Sequence, residues 1–275
     1  MTHWWDRICE QKASSIDAFF CVRLLVILLT GSSSLFHSEN TFARACTSPH
    51  FDETATVEYV HDGDSLRLSD GRKVRIIGIN TPELAREDNP AEPYALRARD
   101  HLRGLLKPQS KIKLRWGRER KDRYGRTLAH VFLSNGENVS QRLLTEGLAM
   151  ALTVPPNLWQ WDCYQLAEQN ARKSKLGLWS HQRFQISAAK HLDSNTRGFR
   201  QVSGVVKRVG FSKSSIWLNL DANFAIRIKR SDLEYFNGVD FRALRGRKLV
   251  ARGWVKYHNN QLRMRVRHPA ALKIE

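Results

Sequence analysis

The chain has 275 residues, room for one large domain or two small ones, and 41% of them are hydrophobic, enough to build a packed core. Its 45 Lys+Arg against 27 Asp+Glu give a formal net charge of +18. That charge points to polyanionic partners (nucleic acid, acidic lipid or acidic polysaccharide) without choosing among them.

At the N-terminus, Arg7, Lys12 and Arg23 precede an uncharged run, Leu24 to Phe36, and Ala43-Arg44-Ala45 follows as a small-x-small cleavage pattern. The run is shorter than the roughly 20 apolar residues that span a bilayer. Residues 1–45 read as a signal peptide of a secreted or periplasmic protein, with an uncleaved membrane anchor as the alternative. Cleavage after Ala45 leaves two cysteines, Cys46 and Cys163, and an exported protein with two cysteines pairs them. A lipidated Cys46 is the rival reading, which Arg44 before the cut disfavours. The sequence has no CxxC or HExxH pattern, so no zinc site is expected.

Strand signals open the first domain. Val57, Tyr59 and Val60 lead into alternating Ser65–Leu68 and the turn Ser69-Asp70-Gly71, a hairpin. Val74 to Ile79 (VRIIGI) reads as one continuous apolar strand. Pro93 starts a helix with Ala95, Ala98, Leu102, Leu105 and Leu106 at helical spacing. Strands Lys111–Trp116 and Thr127–Leu133 follow. Asn138 is a helix cap with Gln141 in the capping-box position and Gly147 as the stop. A last helix runs from Leu158 to about Lys175. This order suits a mainly β fold with helices (α+β): a five-stranded barrel of the OB type.

A polar joint is expected at 186–200. Beyond it, strand candidates Val202–Val209, Ile216–Leu220, Phe224–Lys229, Leu249–Val255 and Leu262–Arg267, with a helical segment at about Ser231–Leu244, describe a second small OB-like barrel. The domains are therefore residues 1–45, 46–185, 186–200 and 201–275. Residues 190–275 hold 19 Lys+Arg against 6 Asp+Glu, an excess of 13. Alternation in Leu262–Arg267 puts Arg263, Arg265 and Arg267 on one face, and with Arg227 and nearby aromatics this reads as a nucleic-acid-binding surface. The alternative is a solvated face over a core of Trp and Phe; for Trp217 and Trp254, core packing is the better reading.

Three polar segments sit beside apolar strands: Asp62-Gly63-Asp64-Ser65, Arg75 through Glu83 (RIIGINTPE), and Asp122-Arg123-Tyr124-Gly125-Arg126. Each alone is turn or ion-pair chemistry. Together they supply what phosphodiester cleavage needs: hard oxygen ligands for a divalent ion in Asp64 and Asn80, a base in Glu83, and guanidiniums in Arg75 and Arg126 for the developing charge.

With Gly147-Leu148-Ala149 and the Lys173–Trp179 ending, these motifs resemble the staphylococcal nuclease (thermonuclease) family over residues 54–180. The resemblance implies an OB-barrel nuclease that uses Ca²⁺, cuts DNA and RNA with little sequence preference, and leaves 5′-hydroxyl and 3′-phosphate ends. It implies that Asp64 and position 80 hold the metal with the Thr81 carbonyl, that Glu83 is the base or water-positioning group, and that Arg75 and Arg126 clamp the phosphate. Two departures stand out. Asn80 replaces the founding member's Asp, so Ca²⁺ should bind more weakly and Mg²⁺ or Mn²⁺ should compete. A base-stacking tyrosine is missing near Thr153, which leaves Tyr124 as the stacking candidate. The partner is DNA or RNA, single strands preferred; the protein reads as a monomer with no obligate protein partner. The alternative function is an inactive nuclease-like binding protein.

Overall fold

The computed structural model describes residues 45–86 and 89–275. The signal-peptide reading of 1–45 falls, apart from Ala45, outside the described residues. Among the described residues no helix is long and apolar enough to cross a membrane.

The first barrel is built from β1 (Glu53–Asp62), β2 (Ser65–Leu68), β3 (Lys73–Ile76), β5 (Lys111–Lys121) and β6 (Thr127–Leu133), which close in the order β1-β2-β3-β6-β5. The β3–β6 pairing is parallel and β1 pairs antiparallel with β5. This is the OB connectivity expected from the sequence. Alternate residues Val57, Leu66, Leu68, Val74, Ile76, Ile112, Leu114, Ala129 and Val131 fill its interior.

The continuous strand expected at Val74–Ile79 is instead broken after Ile76. Gly78 has φ +89°, and a Cβ there would stand 2.3 Å from the Tyr164 ring. Only glycine accepts both the backbone angle and the ring. The chain turns there, and β4 (Ile79–Asn80) leaves the barrel to pair with β7 (Met150–Ala151).

Three helices pack outside. α1 (Ala95–Leu105) buries Ala95, Ala98 and Leu102. α2 (Val139–Thr145) is capped by the Asn138 side chain, which accepts from the Gln141 N–H. α3 (Trp161–Lys173) begins three residues later than expected, because Leu158 N–H bonds back to the Pro156 carbonyl in a turn. A disulfide joins Cys46 to Cys163 on α3, with Cα atoms 5.8 Å apart. The Cys46 backbone is further fixed by the Gln141 and Asn138 side chains.

The second barrel contains β9 (Gly198–Phe211), β10 (Ser215–Leu220), β11 (Phe224–Lys229), β12 (Lys248–His258) and β13 (Gln261–Arg265). The order is β9-β10-β11-β13-β12, closed by β12–β9 pairing, with β11 parallel to β13. Two short strands extend the sheet: β8 (Ile186–Ala188), parallel to β9, and β14 (Leu272–Ile274), antiparallel to β12. The stretch read as a joint thus carries structure of its own. The helix expected at Ser231–Leu244 is two 3₁₀ turns, Arg230–Tyr235 and Arg242–Leu244. Gly238, at φ +79°, interrupts any longer helix between them.

The two barrels share a contact layer. Met150, Ala171, Leu178, Trp179 and Phe184 from the first side meet Phe199 of β9 in one buried cluster. Arg252 of β12 makes a two-pronged ion pair with Glu168 of α3, at 2.5 and 2.7 Å, and Glu168 also accepts the Ala151 N–H at 3.0 Å. Arg172 Nη1 donates to Gln201 Oε1 at 2.8 Å, and Gln165 Nε2 to the Ala270 carbonyl at 2.9 Å.

Candidate active site

The turn between β1 and β2 presents Asp64 to the broken end of β3. Its Oδ2 accepts Arg75 Nη2 at 2.9 Å and the Thr81 N–H at 3.0 Å; its Oδ1 accepts the Ser65 hydroxyl at 3.0 Å. The Asp64 N–H in turn donates to Asp62 Oδ1 at 3.0 Å. A Cβ on Gly63 would lie 2.8 Å from the Thr81 side chain, so the two loops touch because residue 63 is glycine. Asp62, Asp64, Asn80 and Thr81 are all buried.

Burial pushes the Asp64 carboxyl up to about 6, Arg75 opposes the rise, and the charges of Asp62 and Glu83 add to it. Arg75 alone therefore does not offset the cost of holding this carboxylate ionised in a buried loop. That imbalance, with an all-oxygen donor set of the Asp64 carboxylate, the Asn80 amide and the Thr81 carbonyl, fits a hard divalent cation. The Asn80 amide is placed with Nδ2 3.3 Å from the Thr81 carbonyl, and rotating the amide by half a turn would present Oδ1 instead. Among the described residues no cluster of three His, Cys, Asp or Glu is placed to hold a metal; the donor set here has fewer carboxylates than such a cluster needs.

Arg75, only 13% exposed at its side chain, is also anchored by Nη1 to the Ile76 carbonyl at 2.6 Å. Glu83 lies outside the buried set. Its carboxylate is exposed and 3.3 Å from Arg86, while its N–H donates to Glu92 Oε2 at 3.2 Å and its carbonyl accepts the Glu92 N–H at 2.8 Å. Glu92 pairs with Arg183, whose Nη1 donates to the Phe199 carbonyl of β9 at 3.1 Å.

Arg126 ends the β5–β6 turn. Asp122 Oδ2 accepts its Nε and Nη2, both at 2.8 Å, and Asp122 Oδ1 accepts the Tyr124 and Arg126 N–H groups. Burial alone would raise the Asp122 pKa, but the bonds and charge of Arg126 outweigh it and hold the carboxyl below the usual range. The parallel register pairs Val74 with Thr127, so Arg126 stands at the level of Lys73, one side-chain repeat from Arg75. Tyr124 is 67% exposed and lies beneath Arg123 and Arg126, at 4.6 and 5.6 Å.

In the second barrel, Arg227 and Arg263 flank Trp217, whereas Arg265 and Arg267 both pair with buried Asp232, at 2.7 and 3.4 Å.

Asp62, Glu92, Arg183, Glu168 and Arg252 carry roles that motif reading passed over. Glu168 had a signal, a carboxylate within the buried stripe Tyr164-Ala167-Ala171, and so did Arg252, a charge inside the apolar run Leu249–Val255. Glu92 had none.

A family model described as Staphylococcal nuclease homologue matches residues 73–181. The chain is 36% identical over 174 residues to a thermonuclease of Staphylococcus hyicus, covering 62% of this chain and 100% of that protein. It is 38% identical over 130 residues to a thermonuclease of Staphylococcus intermedius, covering 46% and 76%. It is 35% identical over 130 residues to endonuclease YncB of Bacillus subtilis (strain 168), covering 46% and 61%.

Proposed function

Since the chain belongs to the staphylococcal nuclease family, we propose that it is an exported, divalent-metal-dependent endonuclease acting on DNA and RNA with little sequence preference. That it is a nuclease, a hydrolase of phosphodiester bonds with nucleic acid as substrate, follows from the family itself. The observation that carries the finer reading is Asp64: a carboxylate buried beside Asn80 and Thr81 and shared by Arg75 and the Thr81 N–H, where Arg75 alone does not offset the cost of burying its charge.

Asp64, Asn80 and the Thr81 carbonyl would hold the cation, which supplies charge neutralisation at the phosphate when bound. Ca²⁺ is the first choice, with Mg²⁺ or Mn²⁺ competing because Asn80 brings no charge. Arg75 and Arg126 are the donors for the phosphate oxygens; planar guanidiniums match that geometry in two-pronged fashion. Glu83, on an exposed loop whose backbone is clamped by Glu92, takes the proton from the attacking water. Exposed Tyr124 offers a ring on which an unpaired base can stack, which favours single strands. The disulfide fits an extracytoplasmic location, secreted or periplasmic, with membrane anchoring by residues 1–45 as the alternative. We take the protein to act as a monomer.

The test is cleavage of single-stranded DNA by the purified protein in Ca²⁺, Mg²⁺, Mn²⁺ or EDTA, beside Glu83→Gln. Cleavage should need metal and fall by roughly 10²–10⁴ without the base. Tight binding with no cleavage under any metal would replace this reading with that of an inactive binding protein.

A further inference from the structure

The second barrel carries a face that the nuclease chemistry leaves unused. Its strands follow the OB connectivity, and in that fold oligonucleotides lie across the outer face of the second and third strands. Here those strands are β10 and β11. Ile216, Leu218 and Leu220 of β10 point into the core, so Trp217 and Asn219 face outward, with Trp217 half-buried. The register sets Trp217 opposite Gly210 on one side and Arg227 on the other. A next row across the sheet runs Arg208, Asn219, Ala225, Arg263, Lys256. Small Gly210 leaves the indole rising from a low floor, in a depression of about 330 Å³ rimmed by Arg208, Phe211, Asn219, Gln261 and Arg263.

The charges are arranged around that ring. The Arg227 and Arg263 guanidiniums lie over the ring, 5.3 and 5.1 Å from its centroid, and a base that stacks on the indole would displace at least one of them toward its phosphates. Both are aimed by neutral oxygens, Arg227 Nε by Ser215 Oγ at 2.8 Å and Arg263 Nε by Gln261 Oε1 at 3.2 Å. Arg265 and Arg267 differ, since both are drawn to the one buried Asp232 carboxylate and away from the ring. Phe211, 47% exposed, adds a second ring.

We propose that this face, centred on Trp217 with Arg208, Arg227 and Arg263, binds single-stranded nucleic acid, one base stacking on the indole and the guanidiniums taking the flanking phosphates. An aromatic floor with cationic walls and an amide rim is the chemistry of an unpaired base and its backbone. A paired duplex keeps its base faces covered and cannot use the ring. The site stands apart from the cleavage chemistry. The contacts between the barrels put both on one compact unit, so a strand held here would raise the local concentration of substrate.

The test is fluorescence anisotropy of a labelled oligo-dT of ~12 nucleotides titrated with the full chain in EDTA. Gels run in parallel check that the label stays intact, which separates this question from metal dependence. Trp217→Ala should weaken binding roughly 5- to 100-fold, with Trp217→Phe recovering most of it. Arg263→Gln should weaken binding and lower the slope of log affinity against log salt by about one phosphate contact. Equal affinity and salt slope in wild type, Trp217→Ala and Arg263→Gln would overturn the proposal. So would a heparin fragment whose binding depends on Trp217 while oligo-dT binding does not. Should Trp217→Ala unfold, judged by its melting curve, Arg263→Gln decides.

Discussion

Replacing Arg252 with methionine removes the cation that faces Glu168 and keeps most of the stem's volume. Glu168 is only 3% exposed at its side chain and cannot reach water without opening the contact between the barrels. Breaking a buried pair from one side costs about 3–5 kcal/mol, because a charge is left uncompensated. The lower end applies here. Arg172 also lies within range of Glu168, since the charge of Glu168 raises the Arg172 pKa against the burial and the Arg252 charge that lower it. We therefore expect about 3 kcal/mol for Arg252→Met. Glu168→Gln in the same background should return most of it: the amide oxygen still accepts the Ala151 N–H, and no charge stays buried. Urea unfolding followed by circular dichroism of the two single variants and the double gives the coupling directly. Ala151 pairs with Ile79, next to Asn80, so Ca²⁺ affinity at the proposed metal site should weaken in Arg252→Met and recover in the double. A single variant within 1 kcal/mol of wild type, or a double variant as unstable as the sum of the singles, would refute this account of the bridge.

The disulfide closes a 117-residue separation, which in the chain-entropy estimate contributes about 5 kcal/mol, so Cys46→Ser/Cys163→Ser should lower the unfolding free energy from urea titration by that order; a loss under 1 kcal/mol would show that the loop is already closed without it. Burial, with help from Arg115, pushes His130 down to about 3 from its ordinary 6.5, while its Nδ1 stays bonded to the Tyr164 hydroxyl at 2.9 Å. Its stabilising contribution is complete above pH 6.5 and drains as pH falls from 6.5 toward 3, by about 1.4 kcal/mol per unit; His130→Asn should flatten the stability–pH curve in that window, and parallel curves would rule the assignment out. Gly78→Ala sets a methyl 2.3 Å from Tyr164 at φ +89°, and a cost of about 3–5 kcal/mol in thermal or chemical unfolding is expected; a cost below 1 would mean that the ring moves freely.

What could be read in advance was whatever is local in the chain. Thr127–Leu133 is a short, largely apolar run that ends in Ser-Asn-Gly, and the strand has those bounds. Asn138 three residues before Gln141 is a cap that needs no tertiary information. The juxtaposition of Asp64, Arg75 and Thr81 was accessible because each lies in a short motif at the end of a neighbouring strand. The break at Gly78 was not. VRIIGI is apolar throughout, and periodicity cannot register that Tyr164, 86 residues later, occupies the space beside one glycine. The segment 231–244 has helix-like apolar spacing, yet Asn237-Gly238 turns the chain and leaves only 3₁₀ turns. The Glu92–Arg183 and Glu168–Arg252 bridges join residues 91 and 84 apart, and pairing at that distance leaves no mark in either local sequence.

The Cys46–Cys163 bond also ties the stability of this chain to the redox state of its surroundings. A fold of this size is stable by only about 5–15 kcal/mol in all, and one cross-link accounts for a sizeable share of that. α3, which carries Cys163, also carries Tyr164, which shapes the bend before Asn80, and Glu168, which fixes its partner strand. In a compartment where glutathione keeps thiols reduced, the helix loses its tether and the proposed cleavage site loses that support. If the chain is exported as proposed, it would gain this tether only on leaving the compartment that holds the cell's own nucleic acids, and the cell that makes it would be shielded until then.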